Sequence, residues 1–144
     1  MTPPPAVLDG LDAVRAAVGR ELGPTGWLEV GPGRVDRFRA ATGGGPHQGE
    51  GAHEVPPLLL LALTNLFLPE MVEVRGVSSG INVGTGSVRF GAPVPVGSRV
   101  RARATVVDAV EATGAVRTTI GITVEVEGRH EPAVVVEALS RWLA

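Results

Sequence analysis

Four titratable side chains lie close together in one glycine-rich segment of this chain, residues 43–54: His47, Glu50, His53 and Glu54. A histidine and a carboxylate that reach the same substrate can act as a general acid and base, so these four are the candidate catalytic residues. Two histidines and a carboxylate can also bind Zn²⁺, but the spacing His-x-x-Glu-x-x-His fits no established zinc motif. A solvated surface loop explains the same composition. We rank the loop first, the acid–base pair second and a metal site last.

Composition limits the classes of protein to which the chain can belong. Its length suits one domain, residues 1–144, and we expect residues 1–7 to be flexible. A net charge of −2 and a pI near 5.9 give no reason to expect a nucleic-acid partner. The absence of cysteine excludes disulfides, thiolate metal sites and a cysteine nucleophile. We expect no cofactor, and a cytoplasmic location because the first residues lack the pattern of a signal peptide.

The elements that must position these residues begin with helices. Apolar residues at three- and four-residue intervals predict a helix from Leu8 to Leu22. An extended stretch at residues 27–30 and a short helix from Arg34 to Thr42 follow it. These two helices would precede the segment with the four titratable residues, and a third helix would follow that segment.

The third predicted helix, from Pro56 to about Phe67, is apolar on nearly every face. Paired prolines suit its first turn, and Pro69 is predicted to end it. Such a helix must be covered on most sides by the rest of the fold. Its apolar run is shorter than the roughly 20 residues that cross a bilayer, so we expect no membrane association. Thr64 and Asn65 are predicted to hydrogen-bond locally or to face a partner subunit, and a role in a pocket is less expected.

About four strands are predicted after this helix, with no helices between them. Residues 77–90 are extended and rich in glycine, and residues 133–143 form the last strand. Between them, alternating apolar and polar residues predict two strands that pair as a hairpin. This pairing places Arg99 opposite Glu127 and Arg101 opposite Glu125, and opposite charges across antiparallel strands support the register. The order of elements is typical of an α+β protein.

A curved antiparallel sheet wrapped around a central buried helix is the hot-dog fold, and we predict that fold for this chain. Such a sheet leaves edge strands with unpaired backbone groups, which a second protomer can cover. We therefore expect a dimer, either a homodimer or a heterodimer with another hot-dog subunit.

Three segments resemble a known family. Residues 34–43, Arg-Val-Asp-Arg-Phe-Arg-Ala-Ala-Thr-Gly, are similar to its R-x-x-x-F-A-x-A-T-G motif. Residues 82–98 resemble its N-x-G-x-x-x-V-R-F-x-x-P-V-P-x-G strand and turn, and residues 124–128 and 132–137 resemble its closing hairpin. The chain thus resembles the MaoC-like dehydratases, and among them the single-domain (R)-specific enoyl-CoA hydratases.

The resemblance implies an acyl thioester ligand, carried by coenzyme A or by a carrier protein. Family members add water to a trans-2-enoyl thioester or remove it. They use an Asp and a His that hold the water, and a backbone N–H at the start of the buried helix that binds the thioester oxygen. The resemblance also implies Asn82, Gly84 and Arg89 as candidate substrate-binding residues. The arginines of residues 99–103 could meet ligand phosphates, but we favour their pairing with the acidic residues of the neighbouring strand.

The chain departs from the family pattern at each catalytic position. The family Asp should follow Ala41-Thr42-Gly43, where Gly44 stands, and the family His would fall on Gly49. An ungapped alignment places Pro56-Pro57 at the family His-Gly, and proline has no N–H to offer. If a gap is allowed, Ala52-His53-Glu54 matches this place instead. In either alignment the family's catalytic groups are missing.

Three functional hypotheses follow. In the first, the chain lacks standard hydratase activity and binds an acyl thioester, or serves as the non-catalytic partner in a hot-dog dimer. In the alternative, it is a dehydratase, isomerase or cyclase that acts on a carrier-bound or specialised metabolite through the His and Glu residues of the loop. A hot-dog thioesterase ranks last, because only Glu54 and Glu70 lie near the ends of the buried helix.

Overall fold

A computed structural model describes residues 1–43 and 53–144 of the chain, so His47 and Glu50 lie outside the described residues. The described part contains four helices and eight strands. In chain order they are β1 (Ala6–Asp9), α1 (Leu11–Ala16), β2 (Glu21–Leu22), β3 (Leu28–Glu29), α2 (Pro32–Ala41), α3 (Pro57–Ala62), α4 (Thr64–Met71), β4 (Val72–Arg75), β5 (Ser79–Phe90), β6 (Arg99–Ala112), β7 (Ala115–Val126) and β8 (Val134–Leu143).

One antiparallel sheet holds the five strands β2, β6, β7, β8 and β5 in that order, and β3 also pairs with β6. The predicted β6–β7 register is confirmed, because Arg101 lies opposite Glu125 and the backbone N–H of Glu127 donates to the carbonyl of Arg99. Past Val106 the register shifts by one residue, because Val107 is an extra residue in β6. The α+β hot-dog fold is confirmed.

The sheet packs against α3 and α4, which supply a large part of the core. Leu59, Leu60, Leu63, Phe67 and Met71 are buried there, at 1–6% exposure. Their partners include inward-facing residues of the sheet strands, namely Val100, Ala102, Ile122, Val124 and Val136. Burying side chains of this size stabilises the fold by about 1.5–3 kcal/mol each.

The prediction that this helix is buried on most sides is wrong for the single chain. Leu58 is 61% exposed and Leu66 is 44% exposed, because the sheet covers only one side of α3 and α4. Pro69 does not end the helix, since α4 continues to Met71. Pro69 lacks the N–H that would bond to the carbonyl of Asn65, so this helical hydrogen bond is missing. The last turn is still closed by the N–H of Val72, which donates to the carbonyl of Leu68.

The predicted helix from Leu8 to Leu22 is wrong. Helix α1 covers only Leu11–Ala16, and its neighbours Gly10 and Gly19 adopt φ 87°, a left-handed conformation that interrupts a helix. Leu8 lies in β1, where it pairs in parallel with Val74 of β4, and Leu22 lies in β2. The apolar spacing arises because three different elements direct side chains into the same core.

The extended stretch predicted at residues 27–30 contains β3, but the short strands β1, β2 and β4 were not predicted. These strands have only two to four residues each, which is too short to show an alternating pattern. Residues Ala6 and Val7, from the expected flexible start, pair with Val72 and Glu73.

Strand β5 forms one edge of the sheet, and within the described residues it pairs on one side only, with β8. It is 12 residues long, and most of its residues are exposed. Ile81, Val83 and Phe90 are 44–51% exposed, which is unusual for large apolar side chains in a sheet. An edge of this kind is suited to pairing with another chain.

Candidate functional site

A groove of about 400 Å³ lies between the α3–α4 helices and strand β5. Leu61 and Leu68 form its helical wall, and Ile122 and Ala138 of the neighbouring strands form its floor. The remaining lining residues are Ala62, Thr64, Asn65, Asn82, Val83, Gly84 and Thr85. The groove therefore combines apolar walls with a few polar groups, as sites for small ligands commonly do.

A second compartment of about 280 Å³ continues the groove along α4 towards β4. Asn65, Leu68 and Asn82 line both compartments, so these residues stand where the two meet. The other lining residues of the second compartment are Pro69, Val72, Val74, Gly80, Ile81, Ser140 and Trp142. The indole N–H of Trp142 donates to the hydroxyl oxygen of Thr118 at 3.0 Å, which fixes the ring at the end of this compartment.

Three polar side chains form a hydrogen-bonded chain across the groove. The Asn82 amide Nδ2 donates to Oδ1 of Asn65 at 3.1 Å, which connects β5 to α4. The hydroxyl of Ser140 donates to Oδ1 of Asn82 at 3.3 Å. Ser140 is only 2% exposed, so Asn82 is held from the floor of the groove. We call this set the asparagine bridge.

A bulge in β5 positions Asn82 at the groove. Asn82 pairs with Ser140, while Gly84 pairs with Leu139, so Val83 is an extra residue in β5. Gly84 has φ 156°, at the margin of the region that side chains avoid. Asn82 and Gly84, two of the three substrate-binding residues that the family resemblance implies, both line the groove.

The third candidate, Arg89, lies on the opposite face of β5. It pairs with Val135, an exposed residue, whereas Asn82 pairs with the buried Ser140. Arg89 therefore points away from the groove, and its assignment to substrate binding remains a prediction that the placement does not favour.

Helix α3 begins with two prolines. Pro56 is its N-terminal cap and Pro57 its first residue, and neither has a backbone N–H. The N–H groups of Leu59 and Leu60 both donate to the carbonyl of Pro56, at 2.9 and 3.3 Å. Leu58 is thus the first residue of the helix with an N–H, and a helix start normally presents more free donors than this.

His53 and Glu54 lie directly before α3 and are both exposed. Their backbone is held at a turn, since the N–H of Val96 donates to the carbonyl of His53 at 2.8 Å and Glu54 pairs with Pro95. A guanidinium nitrogen of Arg39, on α2, donates to the carbonyl of Glu54 at 3.3 Å. These two of the four candidate catalytic residues are therefore next to the helix start, and their role remains a prediction.

As predicted from the sequence, the arginines of β6 pair with Glu125 of β7 and with Glu127, which directly follows β7. Arg99 contacts Glu127 at 3.0 Å, and Arg101 and Arg103 contact Glu125 at 2.7 and 2.8 Å. Burial alone would raise the pKa of Glu125. The hydrogen bond from Arg101 and the charges of Arg103 and Arg101 outweigh burial, so the pKa is lower than its ordinary value of 4.5.

Two further observations concern ligands and membranes. Among residues 1–43 and 53–144, no three histidine or acidic side chains come together in a way that could hold a metal ion. In the same ranges, no helix has the length and hydrophobicity needed to cross a bilayer.

Comparison with known proteins identifies the family. No protein-family model matches the chain. Over 143 aligned residues it is 38% identical to the 3-hydroxyacyl-thioester dehydratase Z of Mycobacterium tuberculosis, with 90% of this chain and 93% of the relative covered. The chain belongs to the MaoC-like dehydratase family. This MaoC-like chain is also 30% identical to nodulation protein N of Rhizobium meliloti, over 149 aligned residues that cover 93% of the chain and 89% of the relative.

Solved structures support the fold of the MaoC-like chain. The MaoC-like dehydratase from Rhodospirillum rubrum matches with a TM-score of 0.71 at 17% identity, covering 88% of this chain and 92% of that one. The (R)-hydratase from A. caviae matches with a TM-score of 0.63 at 22% identity, covering 85% and 94%. A chain of the M. tuberculosis HadBC (3R-hydroxyacyl-ACP dehydratase) complex matches with a TM-score of 0.64 at 18% identity, covering 89% and 97%.

Sequence reasoning missed two members of the asparagine bridge in the MaoC-like chain. Asn65 was assigned to local or intersubunit hydrogen bonds, but it meets Asn82 across the groove. No contact with the groove was predicted for Ser140, which lies opposite Asn82 on β8. One signal was present in the sequence, namely an amide side chain within an otherwise apolar helix.

Proposed function

We propose that this chain binds acyl thioesters without hydrating them at the family's usual rate, and that it pairs with another hot-dog subunit. One feature of the sequence carries the proposal: counted from the family motifs, the catalytic positions fall on residues that cannot supply the catalytic groups. Gly44 and Gly49 fall at the Asp and His positions. At the His-Gly position, the ungapped alignment places Pro56-Pro57, at the start of α3, and the gapped alignment places His53-Glu54.

The chemistry of hydration explains why these replacements matter. A positioned general acid or base contributes about 10²–10⁴-fold to the rate, and glycine offers neither. A single oxyanion donor contributes about 10²–10³-fold, and proline lacks the N–H that would serve. Loss of both contributions is expected to leave at most a small residue of hydratase activity.

The groove between α3–α4 and β5 supports the binding part of the proposal. Its leucine, isoleucine and alanine walls suit an alkyl chain, and its volume lies within the range of small-ligand sites, about 300–1,000 Å³. It opens beside the exposed edge of β5, so a partner that covers this edge would also close the groove.

Exposed apolar residues support the pairing part. Leu58 and Leu66 on the helices and Ile81 and Val83 on β5 are 44–61% exposed in the single chain. Burial of such residues between two protomers removes apolar surface from water. The HadBC complex, whose chain resembles this one in fold, is an assembly of the same general kind.

An assay of the purified chain tests the proposal directly. We expect acyl-CoA binding by calorimetry, and neither hydration of crotonyl-CoA nor dehydration of a 3-hydroxyacyl-CoA above background. The M. tuberculosis dehydratase Z serves as the positive control under identical conditions. Robust turnover by the chain alone would refute the loss of hydratase activity, and failure to bind any acyl-CoA would refute the binding role.

A second candidate function is a repurposed lyase or isomerase that uses the loop residues. The position of His53 and Glu54 beside the start of α3 favours it, because relatives are expected to hold the thioester there. We expect the double variant His53→Ala, Glu54→Ala to lose such an activity while it keeps its melting temperature. His130→Ala, which changes an exposed histidine in the loop between β7 and β8, is the matched control. If both variants keep full activity, this candidate is wrong.

A further inference from the structure

We propose that the asparagine bridge limits the length of the acyl chain that the groove accepts. This inference rests on the proposed acyl-thioester binding and adds a specificity determinant to it. The bridge connects Asn65 of α4 to Asn82 of β5, and both residues line the first and the second compartment. A chain that enters from the start of α3 therefore meets the bridge before it can reach the second compartment.

The position of the bridge sets the length of the first compartment. Asn65 lies seven positions after Leu58, which is at the start of the helix. At 1.5 Å per residue this corresponds to about 10 Å of helix. An acyl chain of that extent fills the first compartment along Leu61 and ends against the two amides.

Longer chains would have to break the bridge. The Asn82–Asn65 hydrogen bond, which is exposed in the single chain, would open, and a methylene chain between the two amides cannot replace it. Asn82 cannot easily turn aside, because the buried Ser140 hydroxyl holds its Oδ1 at 3.3 Å. The second compartment is itself lined by Leu68, Val72, Val74 and Trp142, so its apolar surface would favour an alkyl chain once the bridge is gone.

The experiment measures the affinity of butyryl-, octanoyl- and palmitoyl-CoA by calorimetry for the wild-type chain and two variants. Each further methylene that is buried strengthens binding about fourfold. In the wild type we expect affinity to stop rising at the length that reaches the bridge. In Asn65→Ala and Asn82→Ala we expect it to go on rising, so that the ratio of palmitoyl-CoA affinity to butyryl-CoA affinity exceeds the wild-type ratio by about tenfold or more.

Controls separate the bridge from general effects. Ser87→Ala changes an exposed residue of the same strand that lines neither compartment, and it should keep the wild-type length profile. Asn65→Ala alters an exposed helical position, so it remains informative if Asn82→Ala unfolds the β5 bulge. If the wild type binds and the bridge variants share its length profile, the inference is wrong while the proposed function stands. If the wild type binds no acyl-CoA of any length, both fail.

Discussion

The indole ring of Trp142 occupies the space that a side chain at Gly80 would fill. The two residues lie directly opposite each other on β8 and β5, and a Cβ atom built on Gly80 would overlap the ring. Glycine at this position therefore lets Trp142 lie flat across the edge strand, where it forms the end wall of the second compartment.

The first prediction follows from this contact. Gly80→Ala forces the ring or the strand to move, and overpacking of this kind costs about 1–3 kcal/mol. Urea denaturation should show that loss of unfolding free energy. Gly26→Ala is the control, because its Cβ would meet only Thr2 Oγ1 at 3.6 Å, an ordinary contact. Equal stability of the two variants would contradict the role of Gly80.

The second prediction concerns Glu125 and pH. Because pairing with Arg101 and Arg103 lowers its pKa in the folded chain, Glu125 stabilises the fold above its unfolded-state pKa. This contribution is lost as the pH falls through the lowered folded-state pKa. Glu125→Gln should therefore cost about 0.5–1 kcal/mol at neutral pH and nothing in strong acid.

Thermal unfolding across the acid range, compared between wild type and variant, measures this difference. Glu127→Gln is the control. Among residues 1–43 and 53–144, Glu127 pairs with Arg99 alone, and it is more exposed than Glu125, so its effect should be smaller. A wild-type advantage that grows on acidification would contradict the sign of the pKa shift.

The third prediction concerns two like charges. Arg117 of β7 and Arg141 of β8 lie directly opposite each other, between Val110 and Ile81 on the flanking strands. Like charges in this arrangement repel, so Arg141→Glu should stabilise the chain by about 0.2–1 kcal/mol through a new cross-strand pair. Arg141→Gln removes only the repulsion and should stabilise less. The gain should shrink at high salt, and thermal unfolding at two salt concentrations measures it.

The fourth prediction tests the role of β5 as an interface. Val83→Lys places a charge on the exposed edge strand and should shift the chain towards monomer in analytical ultracentrifugation. Val107→Lys is a matched control, because Val107 is 52% exposed, against 51% for Val83, but lies on β6 in the interior of the sheet. If both variants behave alike, or if the wild type is a monomer at all concentrations, pairing of two copies of this chain through β5 is wrong.

Much of the fold could be predicted because its signals are local and repeated. The Arg101–Glu125 register followed from alternation and charge over two long strands, and helix α2 followed from its apolar spacing. The predicted helix from Leu8 to Leu22 was wrong because helical spacing of apolar residues can also arise from separate elements that share one core. Leu8, Val14 and Leu22 have helical intervals, yet they belong to β1, α1 and β2 and share only the core that they fill.

The candidate site was less predictable than the fold. Asn82 could be named from its motif, but its partners Asn65 and Ser140 lie 17 and 58 residues away along the chain. Contacts of this kind depend on where the bulge in β5 lies. The glycines of residues 77–90 favour a bulge, but they do not place it at Val83. The exposure of Leu58 and Leu66 could not be predicted from the apolar helix. An apolar pattern predicts that a surface is covered, but not whether the same chain or a neighbouring chain covers it.

The exposed edge of β5 has a consequence for the amount of this protein that a cell can keep in solution. Within the described part of the chain, the outer backbone groups of β5 pair with no other strand, so they are a template for any extended segment. Copies made in excess of the proposed partner are therefore prone to add strands to one another. Balanced synthesis, or removal of surplus chains by proteases, would then be needed to keep the protein in solution. The abundance of the chain is thus expected to follow that of whatever covers β5.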